Sequence, residues 1–498
     1  MNTSDIGDLK QDNRISLAGP VVRSAGWVLA GRIGGALFDL AKALVLARLL
    51  NPQDFGLFAI VMLTITIVEV FSQSGFNTAL IQRKDDTRKY LDTAWTVHVF
   101  RGLVLALVLL LTAPLVGWFF EDYRVVKLLQ IICLAEVLNG FINVGIIYFE
   151  KELKFHKQFI YEMLSNAISL VVGIILAYKF ASVWALVWAN LAGVTVRCIL
   201  SYVLHPYRPH YCFNLIQAKE LFRFGKWMFG HTIVVFLWQE ADRIIIGKML
   251  GAAALGVYQI AYRISNLGSS QVSLATSTVA FPTYVKLREE EDRLRKAFLD
   301  VFETTICFVL PLTIFTFLAA EDIVHGLLGE KWIESIVPLK ILSLAGFLGA
   351  FEHTSTPLFV AVGRPNLEFW KNFCKACIIL LTIYPLTAFW GLSGTCISVV
   401  LGALVPLPIW AGVKSIAKAT WREILYRMLP SLVLGLATIL AIGICHLFFR
   451  HAGLQKLLFD AMAAIALYIF VAILLSRIWN KGPYVQARRA IIAVLATP

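Results

Sequence analysis

The sequence predicts an all-α polytopic membrane protein. Of its 498 residues, 58% are hydrophobic and only 15% are charged. The hydrophobic residues form separate runs of about 20 residues, the length that an α-helix needs to cross a bilayer. Such a composition disfavours a soluble globular chain. We predict about fourteen transmembrane helices, near residues 22–47, 55–81, 92–119, 125–148, 159–178, 181–204, 226–248, 254–285, 297–319, 335–361, 368–390, 392–413, 425–449 and 453–477.

The clearest element is a helical hairpin between Ala43 and Arg83. Its turn, Asn51-Pro52-Gln53-Asp54, directly follows an apolar run. An Asn before Pro is disfavoured in the α region, and an Asp in this position caps the next helix. The second run, 55–81, contains a single acid, Glu69. The pattern therefore predicts two membrane helices joined by a tight turn.

The basic residues indicate how the chain is oriented. Of the 45 Lys and Arg residues, 30 fall in alternate short loops and the two tails, whereas nine fall in the opposite loops. Positive loops are typically cytoplasmic, so both termini are predicted inside. We assign Lys371, Lys375 and Arg427 to cytoplasmic segments and Lys456 to an opposite loop. The net charge of +13 is then a topology signal, and nucleic acid is not an expected partner.

An internal repeat relates residues 26–60 to residues 226–260. The alignment pairs Trp27 with Trp227 and Gly56 with Gly256. Since six spans separate the copies, both enter the membrane in the same direction, as in transporters with parallel repeats. The predicted organisation is a cytoplasmic tail, a first six-helix bundle, a cytoplasmic linker, a second six-helix bundle, two appended helices and a cytoplasmic tail. Their respective boundaries are 1–21, 22–204, 205–225, 226–413, 414–478 and 479–498.

Charged residues inside the spans are the candidate functional groups. An ionised side chain at the centre of a membrane helix costs at least about 2.5 kcal/mol, so such residues usually face a bundle interior or a water-filled cavity. They are densest on the first helix of each half, which predicts a polar cavity between the halves. The candidate substrate-binding bases are Arg32, Lys42, Arg197, Arg243 and Arg263. The candidate coupling or cavity acids are Asp39, Glu69, Glu240, Asp242 and Glu352.

Structural explanations remain open for several of these residues. Asp39 and Lys42 are three residues apart and can form a buried structural pair. Asp242 and Arg243 lie near a span end, where they can reach the membrane interface. Glu69 is either simply protonated in place or part of a proton or ion site.

The cysteines and glycines give no metal or phosphate motif. Cys374 and Cys377 have CxxC spacing, but a single pair inside an apolar helix is typical of packing residues. We predict no bound metal, no disulfide framework and no catalytic residue.

Two stretches resemble a known family. They are ARLLNPQDFGLFAI…FSQSGFNTALIQR, from Ala47 to Arg83, and TPLFVAVGRPN, from Thr356 to Asn366. Both are similar to bacterial lipid-linked oligosaccharide flippases of the polysaccharide-transport branch of the multidrug/oligosaccharidyl-lipid/polysaccharide exporter (MOP) superfamily. Within that branch the chain most resembles exporters of exopolysaccharide repeat units such as colanic acid.

The resemblance implies two six-helix bundles around a central cavity that alternates in access. It also implies a bacterial inner-membrane protein that moves undecaprenyl-diphosphate-linked oligosaccharide, with membrane lipid and a polysaccharide polymerase and co-polymerase as possible partners. No cofactor is implied beyond possible proton or sodium coupling, and no covalent bond is made or broken.

Two alternatives remain. A cation-coupled multidrug exporter would have the same fold, with more acids than bases in its cavity. A membrane polysaccharide polymerase or ligase would need a sizeable outer loop, and the longest one predicted here, near 321–334, is short.

Overall fold

The chain folds into α-helices. The computed structural model describes residues 31, 34–72, 88–152, 154–212, 235–405, 412–413, 416–448 and 453–479. Within these ranges the regular secondary structure is helical, with no β-strand. Nine helices within them are long and apolar enough to cross a membrane. The predicted all-α polytopic class is confirmed.

The chain divides into two compact units. Unit 1 comprises residues 1–50 and 60–233, and unit 2 comprises residues 51–59 and 234–498. The domain boundaries given above stay predictions.

Unit 1 is built from seven described helices. In it α3 packs against α4, and α6 packs against α7, so neighbours in sequence form antiparallel pairs. The helices are α1 (34–49), α2 (Pro52–Ser72, shared with unit 2), α3 (Arg88–Phe119), α4 (Arg124–Gly140), α5 (Ile147–Lys151), α6 (Phe155–Phe180) and α7 (Trp184–Leu204).

The predicted span 125–148 is too long, because α4 ends at Gly140. Beyond it the Asn143 side chain accepts a hydrogen bond from the Gly145 amide at 2.8 Å, which starts a short 3₁₀ turn. Asn side chains favour such local turns over helix. The turn bends the chain at the wall of a cavity described below.

Unit 2 contains the remaining helices. There α9 packs against α12, and α10 packs against α14, around the buried Phe298, Phe302 and Phe359. The helices are α8 (235–249), α9 (Gly251–Leu287), α10 (Glu291–Leu318), α11 (Ala320–Ile323), α12 (Ile336–Ala361), α13 (Pro365–Leu404), α14 (Trp421–Phe448) and α15 (Leu454–Trp479).

The helical run α13 consists of two antiparallel arms. At Gly391 the backbone takes φ 56° and ψ −138°, a conformation that only glycine adopts easily. Hydroxyl pairs then join the arms, with 2.7 Å between Thr387 Oγ1 and Thr395 Oγ1, and 2.7 Å between Thr382 Oγ1 and Ser398 Oγ. The predicted break of this stretch at Gly391 is confirmed, and it separates two helices.

Two glycines that the repeat aligns lie at one helix crossing in unit 2. A Cβ placed on Gly56 would lie 1.6 Å from the carbonyl oxygen of Ala252. A Cβ on Gly256 would lie 1.9 Å from that of Pro52. Since both obstacles are backbone atoms, neither crossing partner can rotate away. The start of α2 therefore approaches α9 as closely as two backbones allow.

We expect Gly56→Ala to lower the thermal stability of the purified protein, because the new methyl group forces the crossing apart. Overpacking of this kind costs about 1–3 kcal/mol. The measurement is the unfolding temperature in detergent, followed by size-exclusion chromatography after heating. Gly349→Ala is the control, since nothing lies within 4 Å of its added Cβ. Equal stability of the two variants would contradict the close approach of α2 to α9 at Gly56.

Candidate functional site

A polar cavity of about 530 Å³ lies inside unit 1. Its walls come from the end of α2, from α3, from α4 and the 3₁₀ turn after it, and from the start of α6. It brings together three acids on three helices with a base and a histidine on a fourth. The charged and polar residues that line it are Glu69, His98, Arg101, Glu136, Asn139, Asn143, Gln158, Tyr161 and Glu162.

Hydrogen bonds along the wall position Arg101. Its Nε donates to Ser72 Oγ at 3.0 Å, and that hydroxyl donates to the carbonyl oxygen of Glu69 at 2.8 Å. The guanidinium is thereby fixed beside the carboxyl end of α2. His98 Nε2 is buried and has no hydrogen-bond partner in the described ranges. Buried nitrogen atoms without a hydrogen-bond partner are rare in native proteins. The one in His98 belongs to a side chain that lines the cavity.

Among the predicted site residues of unit 1 that the structure describes, only Glu69 lines the cavity. Lys42 Nζ donates to Ser169 Oγ at 2.6 Å, which attaches α1 to α6. Asp39 is exposed, and Arg197 on α7 has a buried Nε without a partner in the described ranges. Arg32 lies outside the described residues.

The segment after α7 is fixed on the same part of unit 1. Tyr207 donates its hydroxyl to Asp92, and Asn143 Nδ2 donates to the Tyr207 carbonyl at 2.7 Å. Burial, together with the hydrogen bond to Asp92, raises the pKa of Tyr207 above its usual value. The predicted linker 205–225 therefore begins as a docked segment.

Unit 2 contains a buried ion network between α12 and α13. Lys375 Nζ donates to Glu352 Oε2 at 2.9 Å and lies 3.8 Å from the centre of the Trp238 ring. Lys371 Nζ lies 2.6 Å from Glu368 Oε2 and 3.7 Å from Glu352 Oε1. The four charges balance, which is the condition under which ionised groups can be buried.

The network corrects a prediction. Lys371 and Lys375 do not lie in a loop, because they belong to α13 and are only 1% and 8% exposed. Glu368, Lys371 and Lys375 fall on one helix face by their spacing of three and four. That spacing is the signal in the sequence that could have identified them as partners.

A second cluster joins α8 to α9. Arg243 Nη1 donates to both carboxylate oxygens of Glu240, at 2.7 and 2.6 Å. Asp242 accepts a hydrogen bond from the Tyr258 hydroxyl and another from the Arg243 amide at 2.7 Å. Asp242 is 5% exposed, so its carboxyl group is packed inside the protein. Arg263, by contrast, is exposed.

Arg427 and Lys456 also lie within helices and not in loops. Arg427 on α14 donates to Asp300 at 2.9 Å and to the buried Glu303 at 2.5 Å. Lys456 is buried in α15 instead of lying in a loop. Two more basic residues thus bind partners within unit 2.

Within the described part of the chain, no group of His, Cys, Asp and Glu side chains could hold a metal ion. Cys374 and Cys377 are free thiols. What the geometry offers is buried charge for electrostatic binding and proton exchange.

Fold and sites together define a polytopic helical membrane protein with buried charge between its helices. A solved structure of the lipid II flippase MurJ, in an inward closed conformation, matches this fold with a TM-score of 0.73 at 15% identity. The match covers 91% of this chain and 99% of that one.

Sequence comparison gives the family. A family model described as polysaccharide biosynthesis protein matches residues 45–337, and the chain belongs to that family. WzxC, a lipopolysaccharide biosynthesis protein of Escherichia coli strain K12, is 23% identical over 442 residues, or 85% of this chain and 88% of WzxC. ExoT, a succinoglycan biosynthesis transport protein of Rhizobium meliloti strain 1021, is 23% identical over 356 residues, or 72% of each chain.

We expect Lys375→Met to destabilise the protein by about 3–5 kcal/mol, because it removes the ammonium group hydrogen-bonded to the buried Glu352 and leaves only Lys371, whose Nζ lies 3.7 Å away. The unfolding temperature in detergent measures the loss. Combining it with Glu352→Gln should recover part of the stability, as a double-mutant cycle would show.

Arg293→Met is the matched control, because it breaks an exposed pair with Glu290. Its effect should stay within about 0.5 kcal/mol. Additive losses from Lys375→Met and Glu352→Gln would mean that the two side chains do not interact.

Proposed function

We propose that the protein is a flippase that moves undecaprenyl-diphosphate-linked oligosaccharide repeat units across the bacterial inner membrane. Its family membership carries the proposal. The names of its relatives support the proposal, since WzxC is a lipopolysaccharide biosynthesis protein and ExoT a succinoglycan biosynthesis transport protein. The fold that it has in common with a lipid II flippase agrees with the same activity.

The substrate explains why charge is buried in the membrane. A diphosphate-sugar head group loses its water in hydrocarbon, at a large free-energy cost. Cationic side chains that bind phosphate oxygens reduce that cost. Arg32, Lys42, Arg197, Arg243 and Arg263 are the proposed bases, to which the structure adds Arg101 as a cavity-lining candidate. The lipid tail stays in the bilayer, and no covalent bond changes, so the protein is a transporter and not an enzyme.

Glu69 and Glu136 are the proposed coupling residues. They line one cavity from different helices, together with the unpaired His98 Nε2. Two carboxyl groups facing a common space favour the binding of a proton or sodium ion, because close like charges repel. We propose that release of the anionic substrate is linked to this exchange.

The topology is part of the proposal. Both termini would be cytoplasmic, with six-helix bundles at 22–204 and 226–413 that rock against each other, and with helices at 414–478 appended. A polysaccharide polymerase and co-polymerase would then act on the delivered repeat units.

A cation-coupled multidrug exporter is the second candidate. Among the described lining residues of the cavity in unit 1, three glutamates accompany a single arginine. An acidic cavity suits a cationic drug better than a diphosphate. Drug susceptibility therefore belongs in the same experiment.

Deleting the gene should cause lipid-linked repeat units to accumulate on the inner leaflet and should abolish surface polysaccharide. Reintroducing the wild-type gene should reverse both changes. The measurement is lipid-linked oligosaccharide by leaflet, with surface glycan in parallel. Raised drug sensitivity with normal glycan would instead establish the exporter.

In the same host, Arg101→Met and Glu69→Gln should each reduce the rate of flipping at least about tenfold. That change corresponds to an activation free energy higher by about 1.4 kcal/mol. Arg288→Met, at an exposed side chain, is the control at matched expression. Wild-type flipping by both cavity variants would exclude these residues from the transport path.

A further inference from the structure

A separate group of buried charges joins the last two helices of unit 2 to α11. Lys456 on α15 donates to Asp322 Oδ2 on α11 at 2.9 Å, and its Nζ lies 3.3 Å from His446 Nε2 on α14. Asp460, one turn beyond Lys456, lies at the same cluster and is 0% exposed. Three helices thus direct four ionisable side chains at one another.

Asp460 is the unusual member. Neither of its carboxylate oxygens has a hydrogen-bond partner in the described ranges, apart from the neighbouring Cys445 thiol. Asp322 Oδ1 is also buried without a partner there. Buried carboxylates are normally paired or neutralised, because an unpaired ionised one is strongly disfavoured.

The charges of the cluster do not balance. Lys456 is a donor only, so His446 Nε2 must accept its hydrogen bond, and a ring that accepts is neutral. One ammonium then faces two carboxylates, and Lys456 is already bonded to Asp322. Counted over the described residues, the cluster is one positive charge short.

We propose that Asp460, Asp322, Lys456 and His446 form a proton-binding site, in which one exchangeable proton neutralises the second carboxylate. A carboxylic acid is far cheaper to bury than a carboxylate. His446 is exposed and borders the buried Lys456, which gives the proton a path to the surface. The site is distinct from the cavity of unit 1 and does not depend on the identity of the transported substrate.

Among the described residues, no further cation bonds Asp460. The other described charges near the cluster are paired among themselves: Glu321 with Lys340 at 2.8 Å, and His325 with Glu330 at 2.8 Å. Lys340 donates its hydrogen bond to Glu321, and it thereby lowers the pKa of that carboxyl. The backbone closes the site on one side, because a Cβ on Gly326 would lie 2.9 Å from the Leu454 amide.

The test compares the full chain with its Asp460→Asn variant in lipid nanodiscs, by unfolding temperature at pH 6 and pH 9 in sodium-free buffer. The folded site holds a proton that the ionised carboxyl of the unfolded chain does not, so raising the pH removes stability. Asn resembles the protonated acid and should lack this dependence. We expect the wild type to lose about 2–4 °C more than the variant between the two pH values.

Asp300→Asn is the matched control and should keep the wild-type pH dependence, since its carboxylate pairs with Arg427. The same pH dependence in wild type and Asp460→Asn would overturn the proposal. So would stabilisation of the wild type alone by sodium chloride at pH 9, because the missing cation would then be sodium.

If Asp460→Asn does not fold, the wild type can be treated with dicyclohexylcarbodiimide, which reacts with protonated carboxyl groups in apolar surroundings. An adduct on the Asp460 peptide at pH 6 that declines at pH 9 supports the site. No adduct at either pH contradicts it.

Discussion

The constraint on which this structure depends is that hydrocarbon satisfies no polar group. Backbone amides must bond within their own helices, which is why the long apolar stretches among the described residues are helical. Ionised side chains must find partners inside the protein, and in unit 2 they do so between helices. Glu352 of α12 pairs with Lys375 of α13, and Arg427 of α14 pairs with Glu303 of α10. These pairs also determine which helices can be neighbours and in what register, so the charges contribute to specificity of packing as well as to function.

Much of the fold could be predicted because each span forms its own hydrogen bonds and displays its own apolar pattern. Gly391 marked the reversal within α13 since its position between two apolar runs needed a residue with positive φ. The site was less predictable, because it depends on contacts between distant segments. Lys371 and Lys375 look like loop charges until Glu352, about 20 residues earlier, is known to face them. Arg101 and Glu136 meet Glu69 only through the packing of three helices.

The two units use buried charge differently. In unit 2 the network at Glu352 is balanced, with two acids and two bases that bond one another. A balanced network resists rearrangement, since removing either partner leaves an uncompensated charge. In unit 1 the charged groups line an open cavity instead, and His98 Nε2 there has no partner in the described ranges. An open, incompletely bonded site can accept a ligand without first breaking an internal pair.

This difference suggests where exchange takes place during transport. A group that is fully paired has its charge state fixed by its neighbours, whereas a group with unsatisfied atoms gains free energy by binding a proton, an ion or a substrate. By that criterion we propose that, among the described residues, the cavity around Glu69 and the cluster around Asp460 are places where this chain responds to its surroundings. The Glu352 network then acts as a rigid connection between α12 and α13, so that a response elsewhere moves these helices together and does not loosen them.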